Sequence, residues 1–511
     1  MTAGVAPIEA IAGEPGAKGL KGGALGFASS VVIGVSSTAP AYSLASSLGL
    51  VVLAVGFQAP AIMIVAFVPM LFIAAAYYYL NRADPDCGTT FSWVTKAMGP
   101  WAGWMGGWGI IVADIIVMAN LSQIASIYTF SLFGIAAPDR IALLAVGVAW
   151  IVVMTLICYI GIEVSARVQV GLLSAEILIL GLFAVVALAK VLSGSIPDAV
   201  TPTLNWINPF LITDPSLLAT GLIVAIFIYW GWDSTVTVNE ESANATESPG
   251  KAAIVSTLIL VATYVIVSIA AQSFHGAAFL SDPANSGDVL GALAADVLGS
   301  PWDKLLIIAV LTSASASTQT TILPTARTAL SMAAKGAIPG FWARIHPRYL
   351  TPSTATIGMG LFSILWYVGL TMISTNVLGD SIAALGLMIA FYYGLTGFAC
   401  AIFYRRRLMR SAKDLLLIGV LPVAGGLFLT WALVQSVITL SDPACSTCSG
   451  SAVAGIGLPV VIAGVFLVVG IVLMIAQRFY RPDFFGRRPE VFDPDIVNRG
   501  ARPDAMGSGS I

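Results

Sequence analysis

Long apolar runs almost free of charge recur along this 511-residue chain, separated by short segments rich in Gly, Pro and charge. About 20 such residues suffice to cross a bilayer as a helix, where every backbone polar group must be satisfied within the protein. Apolar residues make up 58% of the chain and charged ones 10%, against about 25% charged in a soluble domain. The chain therefore reads as an all-α polytopic membrane protein. The net charge of −2 is segregated into the connecting segments and gives no sign of a nucleic-acid partner.

Twelve spans are expected, near 25–55, 60–80, 104–134, 141–162, 167–192, 217–240, 252–275, 304–331, 355–377, 380–404, 414–440 and 455–477. Charge sets their orientation. With the N-terminus inside, every Lys and Arg falls on the inner side except Arg140, Lys190 and Lys304; the reverse orientation violates the positive-inside rule. The run Arg405-Arg406-Arg407 is the strongest anchor. Both termini are then cytoplasmic, with a tail at 1–24 and a disordered tail at 478–511 rich in Arg, Pro and Asp. No short apolar core precedes a cleavage site, so the first span is expected to act as an uncleaved signal for the cell membrane.

The first span is interrupted. Its middle reads Gly34-Val35-Ser36-Ser37-Thr38-Ala39-Pro40. Pro40 has no amide hydrogen and clashes with the preceding turn. Backbone groups freed within a bilayer are tolerated only against protein or a watery cavity. The sixth span is also irregular, reading Phe227-Ile228-Tyr229-Trp230-Gly231-Trp232-Asp233. These two spans lie five apart and cross in opposite directions. That arrangement predicts a 5+5 inverted repeat, residues 25–192 and 217–404, with 414–477 appended as two further helices. Paired interrupted spans point to a transporter's binding site.

Several stretches together resemble the amino acid–polyamine–organocation superfamily of secondary transporters. They are the broken first span, Gly231-Trp232-Asp233 followed by Glu240-Glu241, Asn244 and Pro249, and the segment Gly88 to Trp108 with its Ala97-x-Gly99 and Gly107-Trp108. Farther on come Ala326-Arg327, Lys335-Gly336-x-x-Pro339, His346 and Thr351-Pro352. The resemblance runs over about residues 20 to 410. It implies the leucine-transporter fold, alternating access, and an amino acid or an amine as substrate. Many members read Gly-x-Gly where this chain has Gly34-Val35-Ser36.

The breaks carry chemistry of their own. Unpaired amides and the positive dipole end at the first break suit a carboxylate, with Ser36, Ser37 and Thr38 adding hydroxyls. Free carbonyls near Phe227, Ile228 and Tyr229 suit an ammonium. The two form a clamp for a zwitterion. Resemblance makes Phe227 an aromatic gate, and Tyr229, Trp230 and Trp232 can shape the side-chain pocket. Ordinary packing is the competing reading for each of these rings and hydroxyls.

Acidic residues inside a membrane are costly and functional by default. Asp233 matches a position where relatives carry a proton-sensing or substrate-linked acid. Asp114 is either another such acid or a hydrogen-bond hub. Glu176 stands nine residues after Arg167, where proton-coupled relatives often carry a lysine in place of sodium. A desolvated carboxylate there can exchange a proton or bind a cation. Ser313 and Ser317 share a helix face, where relatives ligate sodium, or they hydrogen-bond Glu176 or the first span. Protons are the expected coupling ion, with no cofactor and no resident metal. Glu240 and Glu241, near inner helix ends, are expected to be gate or capping residues, and either one can pair with Arg167 or Arg327.

An enzyme is not expected, since the two histidines, His275 and His346, are far apart and no nucleophile motif occurs. Nor is there a pore loop of the kind channels use. Cys445 and Cys448 suit a local disulfide or two free thiols.

Overall fold

The computed structural model describes residues 18–489 apart from 136–137, 375–376 and 445–449. It is mostly helical. The first expected span divides into α1 (Phe27–Ser37) and α2 (Pro40–Val55). Pro40 occupies the first position of α2, where its missing N–H costs nothing. Ala39 before it takes the left-handed conformation at φ 48°. α3 (Ala59–Ala83) follows a single 3₁₀ turn.

Next come α4 (Thr90–Met98), α5 (Pro100–Leu132), α6 (Arg140–Ile160) and α7 (Ile162–Leu192). The second half contains α8 (Pro215–Ile228), α9 (Ser234–Thr237), α10 (Ser248–Ser281), α11 (Val289–Leu298), α12 (Lys304–Ala334), α13 (Ser353–Ile373) and α14 (Val377–Phe403). Beyond these lie α15 (Ala412–Asp414), α16 (Leu421–Ser441), a two-residue hairpin of β1 (Ala452–Val453) and β2 (Ile456–Gly457), α17 (Leu458–Tyr480) and α18 (Pro482–Phe485).

Among the described residues, ten stretches are long and apolar enough to cross a membrane. The first, Phe27–Ala83, is 57 residues long and contains two of the expected spans. The sixth expected span is absent from the ten because its apolar helix ends at Ile228, where the chain unwinds. Lipid-facing positions such as Leu178 are exposed, while α5, α12 and α14 are largely covered by their neighbours.

α5 and α12 pack along each other at the centre, with α3 on α10 and α14 against both α5 and α16. Trp93 and Trp104 turn inward, while Trp101 stays exposed. Trp104 and Trp108 stack at 5.8 Å, and their indole N–H groups donate to the carbonyls of Ala337 (3.1 Å) and Phe466 (2.8 Å). Trp104 and Trp108 thus serve helix packing. α4 was not foreseen as a separate helix, because its run is short and carries Lys96.

Both expected tails shrink. The N-terminal segment is anchored from Lys18 onward, with Lys18 and Leu20 buried. At the other end α17 runs on to Tyr480, and α18 buries Phe484 and Phe485. Phe484 stacks on Phe91 at 5.8 Å, and Phe485 lies 4.9 Å from Trp101. Two adjacent aromatic residues supply the apolar surface that a disordered tail lacks. Cys445, Cys448 and residues 490–511 lie outside the described residues.

Replacing Phe484 by Ala should cost about 3 kcal/mol through loss of this packing, read as a lower unfolding temperature of the purified protein in detergent. Leu178→Ala, on the lipid face, should be close to neutral; equal effects of the two would remove the case for a docked C-terminal segment.

Candidate functional site

The two chain breaks meet. Gly231 has φ +114°, and a Cβ there would lie 2.8 Å from the carbonyl carbon and oxygen of Ser37. Only glycine permits both that dihedral and that approach. The hydroxyls of Ser37 and Ser234 stand 2.8 Å apart. Gly34 is equally confined, with its missing Cβ 2.5 Å from the hydroxyl of Ser256 and 3.3 Å from the carbonyl of Trp232. Between the breaks lies a cavity of about 10 Å³, room for about one water molecule. Ser37, Thr38, Tyr42, Phe227, Trp230 and Ser317 are among its walls. Tyr42 and Phe227 meet edge to face at 6.3 Å.

The freed backbone groups are paired. The amides of Thr38 and Ala39 donate to the carbonyls of Val35 (3.2 Å) and Ser36 (3.1 Å). Those of Ala41 and Tyr42 donate to the Glu176 carboxylate (2.7 Å) and the Ser313 hydroxyl (3.2 Å). The amide end of the broken helix thus sits at 41–42 rather than at 36–38, because α1 stays helical through Ser37. It already holds a carboxylate of the protein's own. Ser36 keeps a buried hydroxyl with no hydrogen-bond partner.

Carbonyls are covered as well. Ser317 donates to Ser37 O at 2.7 Å, and the Tyr264 hydroxyl donates to Ile228 O at 2.5 Å. Val35 O accepts from the Thr38 hydroxyl at 2.7 Å. Tyr229 faces away from the cavity, donating from its hydroxyl to Met63 O at 2.9 Å. Trp232 stacks on Tyr393 at 5.2 Å and lies edge-on to Tyr77.

The three intramembrane acids occupy different surroundings. Glu176 is fully buried, with Oε1 accepting from Ser313 (2.8 Å) as well as Ala41, and Oε2 unpartnered. Asp233 accepts from the hydroxyls of Tyr393 (2.7 Å) and Tyr392 (3.3 Å), while the Trp230 indole donates to Tyr392 at 2.5 Å. Asp114 accepts from Thr325 of α12 and sits apart from the cavity wall. Glu176 and Asp233 flank the breaks on opposite sides, one beside α2 and the other beside α14.

Sequence reasoning missed a buried ion cluster beneath the breaks. Asp86 Oδ2 lies 2.9 Å from both Lys18 Nζ and Lys335 Nζ. Lys18 also pairs with Glu240. Glu240 accepts from the Cys87 amide at 2.9 Å, and Asp86 Oδ1 from Ser92 and Ser331 at 2.6 Å each. Arg327 forks onto Glu241 at 2.5 and 2.8 Å, the Arg327 pairing among the expected alternatives. The N-terminal segment is further stitched in by Leu25, which exchanges backbone bonds with Glu241 and Ala243. Asp86, Cys87 and Glu240 place donor atoms within 4.8 Å of one another, but the Lys18 ammonium pairs with both carboxylates, making this an ion-pair core. The lone Asp-Cys after α3 and the lysine before α1 carried no local pattern that could have linked them.

Burial opposes the charge on Lys18, yet Asp86, Cys87 and Glu240 around it hold its ammonium well above the usual lysine range. Burial likewise opposes the charge on Asp86, but Lys18, Lys335 and the Ser331 and Ser92 hydroxyls hold its carboxyl well below the usual range.

A family model for amino acid permeases matches residues 25–483. The chain belongs to the amino acid permease family, within the amino acid–polyamine–organocation superfamily. It is a multi-pass membrane protein of a transporter family and not an enzyme. It is 24% identical to a branched-chain amino acid permease of Bacillus subtilis over 59% of this chain and 65% of that protein, just under two thirds of the relative's length. It is 23% identical to the Asc-type amino acid transporter 1 of Mus musculus over 76% of this chain and 69% of that one. A low-affinity putrescine importer of Escherichia coli is 22% identical over 71% and 77%.

Two expectations follow for this permease. Gly231→Ala should cost about 2–4 kcal/mol through dihedral strain and collision with Ser37, whereas Gly171, with nothing within 4 Å of its missing Cβ, should accept Ala with little change in unfolding temperature. Asp86→Asn should cost about 3–5 kcal/mol at pH 7, because two buried ammonium groups lose the carboxylate they share, leaving Lys18 with Glu240 alone. The depressed carboxyl of Asp86 contributes stability above the unfolded carboxylate range and loses it as pH falls through the lower folded value. The raised Lys18 contribution holds up to the ordinary lysine range and is lost only above it. The gap between wild type and Asp86→Asn in pH-dependent unfolding should therefore be flat near neutrality and close in strong acid; no gap at pH 7 would remove the ion-pair argument.

Proposed function

We propose that this permease is a secondary active transporter that moves amino acids across the cell membrane by alternating access, driven by protons. The observation that carries the reading is the contact of two chain breaks, Gly231 on Ser37, around a small cavity lined by hydroxyls and apolar side chains. Its architecture is a twelve-helix bundle of the leucine-transporter type. α1 to α7 form one repeat, α8 to α14 the inverted second, and both termini are cytoplasmic. The substrate lies against Gly34, Val35, Ser36, Ser37 and Thr38 on one side and Phe227, Ile228, Trp230 and Gly231 on the other. Tyr229 and Trp232 support that wall from behind. Asp233 and Glu176 carry the coupling proton, Ser313 and Ser317 tie α12 to the site, and Asp114 acts as a hub to α12. Lys18, Asp86, Glu240 and Lys335, with Glu241 and Arg327, form the inner gate that breaks when the site opens to the cytoplasm.

One observation favours a second reading, an importer of amines. The amides of the first break are already taken up by partners within the protein, and Asp233 sits among Trp230, Tyr392 and Tyr393, a setting that suits a cation. The putrescine importer among the relatives agrees with it.

Uptake of labelled amino acids and amines into proteoliposomes, with and without an imposed pH gradient, separates the two. Amino acid uptake should be saturable, and inward proton flow should raise it. Glu176→Gln and Asp233→Asn should each flatten the pH dependence. Wild-type pH profiles in both variants would remove proton coupling through these acids, and uptake confined to amines would transfer the site to the second reading.

A further inference from the structure

The sign of the buried group beside the first break decides which half of the broken helix it can grip. A cation there would bind carbonyls such as that of Ser37, at the end of α1. Glu176 is a carboxyl that becomes an anion when ionised, and it accepts from amides at the start of α2: Ala41 N directly at 2.7 Å, and Tyr42 N through Ser313. That helix start carries the positive end of the dipole, where a carboxylate is stabilising.

No cation faces Glu176 from the elements packed around it among the described residues. α1 has no titratable residue, and α2 offers only Tyr42. From α10 comes Tyr264, whose hydroxyl donates to Ile228 O. α12 brings the Ser313 hydroxyl, its Lys304 and Arg327 lying well away along the helix, and α6 brings Cys158, which donates to Gln319 O. α11 has Asp296, paired with His275. On α7 itself, Glu163, Arg167 and Lys190 lie near the ends. When Glu176 is ionised, its charge is thus answered chiefly by the amides of α2.

The first turn of α2 also sets the cavity wall. Tyr42, whose amide hangs from Ser313, turns its ring edge-on to Phe227 and its hydroxyl to Asn120 Oδ1. We infer that Glu176 is a positioning residue: its ionised carboxylate latches the start of α2 to α7 and α12, holding Tyr42 against Phe227, and its protonation loosens that latch and lets the cavity rearrange. A proton can be added at Oε2, which has no partner, without breaking either bond at Oε1. Both bonds then lose their charge assistance, and charge-assisted bonds are about twice as strong as neutral ones.

This rests on the reading of the breaks as the transport site, so its test uses purified protein in detergent with no substrate. Hydrogen exchange of the peptide spanning 40–48 is followed as a function of pH and corrected for intrinsic rates. In wild type, protection of α2 should fall on acidification while α5 stays unchanged. Glu176→Gln should lower that protection about tenfold at alkaline pH, where the wild-type carboxyl is ionised, and abolish its pH dependence. Glu176→Asp should restore part of both, and Ser313→Ala, which leaves the bond to Ala41, should give a smaller loss. Wild-type protection in Glu176→Gln, or an equal loss across every helix, would overturn the latch. Should exchange behave as expected while no amino acid is transported in the proteoliposome assay, the latch stands and the amino acid reading falls.

Discussion

Broken helices inside a membrane leave amides and carbonyls that water cannot reach, and the centre of this permease is organised around covering them. The first break is answered by three side chains: Glu176 on α7 accepts from an amide, Ser313 on α12 accepts from the next, and Ser317 on α12 donates a hydrogen bond to the last carbonyl of α1. The second break is answered by Tyr264 on α10. Each unpaired group would cost several kcal/mol in hydrocarbon. These partners therefore fix where α7, α10 and α12 stand around the breaks. Gly231 then allows the two unwound stretches to touch.

A second constraint is charge. Three carboxylates, two lysines and one arginine are buried beneath the breaks, and the burial is tolerable only because they interlock. Asp86 between two ammonium groups joins the N-terminal segment, the turn before α4 and the end of α12. Buried pairs of this kind add little net stability over apolar packing, but losing one partner leaves a buried charge uncompensated.

The class of protein was legible from charge-free runs alone, because a bilayer admits little else. Pro40 and Gly231 marked both breaks, since proline has no amide to bond back to the preceding turn and a backbone at φ +114° favours glycine. Glu176, Ser313 and Ser317 were legible as neighbours of the first span, one of the alternatives weighed for them. The exact amide end was not: α1 keeps its turns through Ser37, and the amides that meet a carboxylate are those of Ala41 and Tyr42. Which hydroxyls and amides lie free depends on where the last helical bond closes, and a few residues' difference has no signature in composition.

By itself the sequence determined that the chain is helical and membrane-embedded, that two helices break, and that acids sit near the breaks; those follow from local rules on hydropathy, proline and glycine. Only the tertiary structure decided what each acid touches. Lys18 meets Asp86 and Glu240 across 68 and 222 residues of chain, and Phe484 folds back onto Phe91. Such pairings depend on how whole helices pack, and a charge or ring in a short loop looks the same whether solvent or a distant partner receives it.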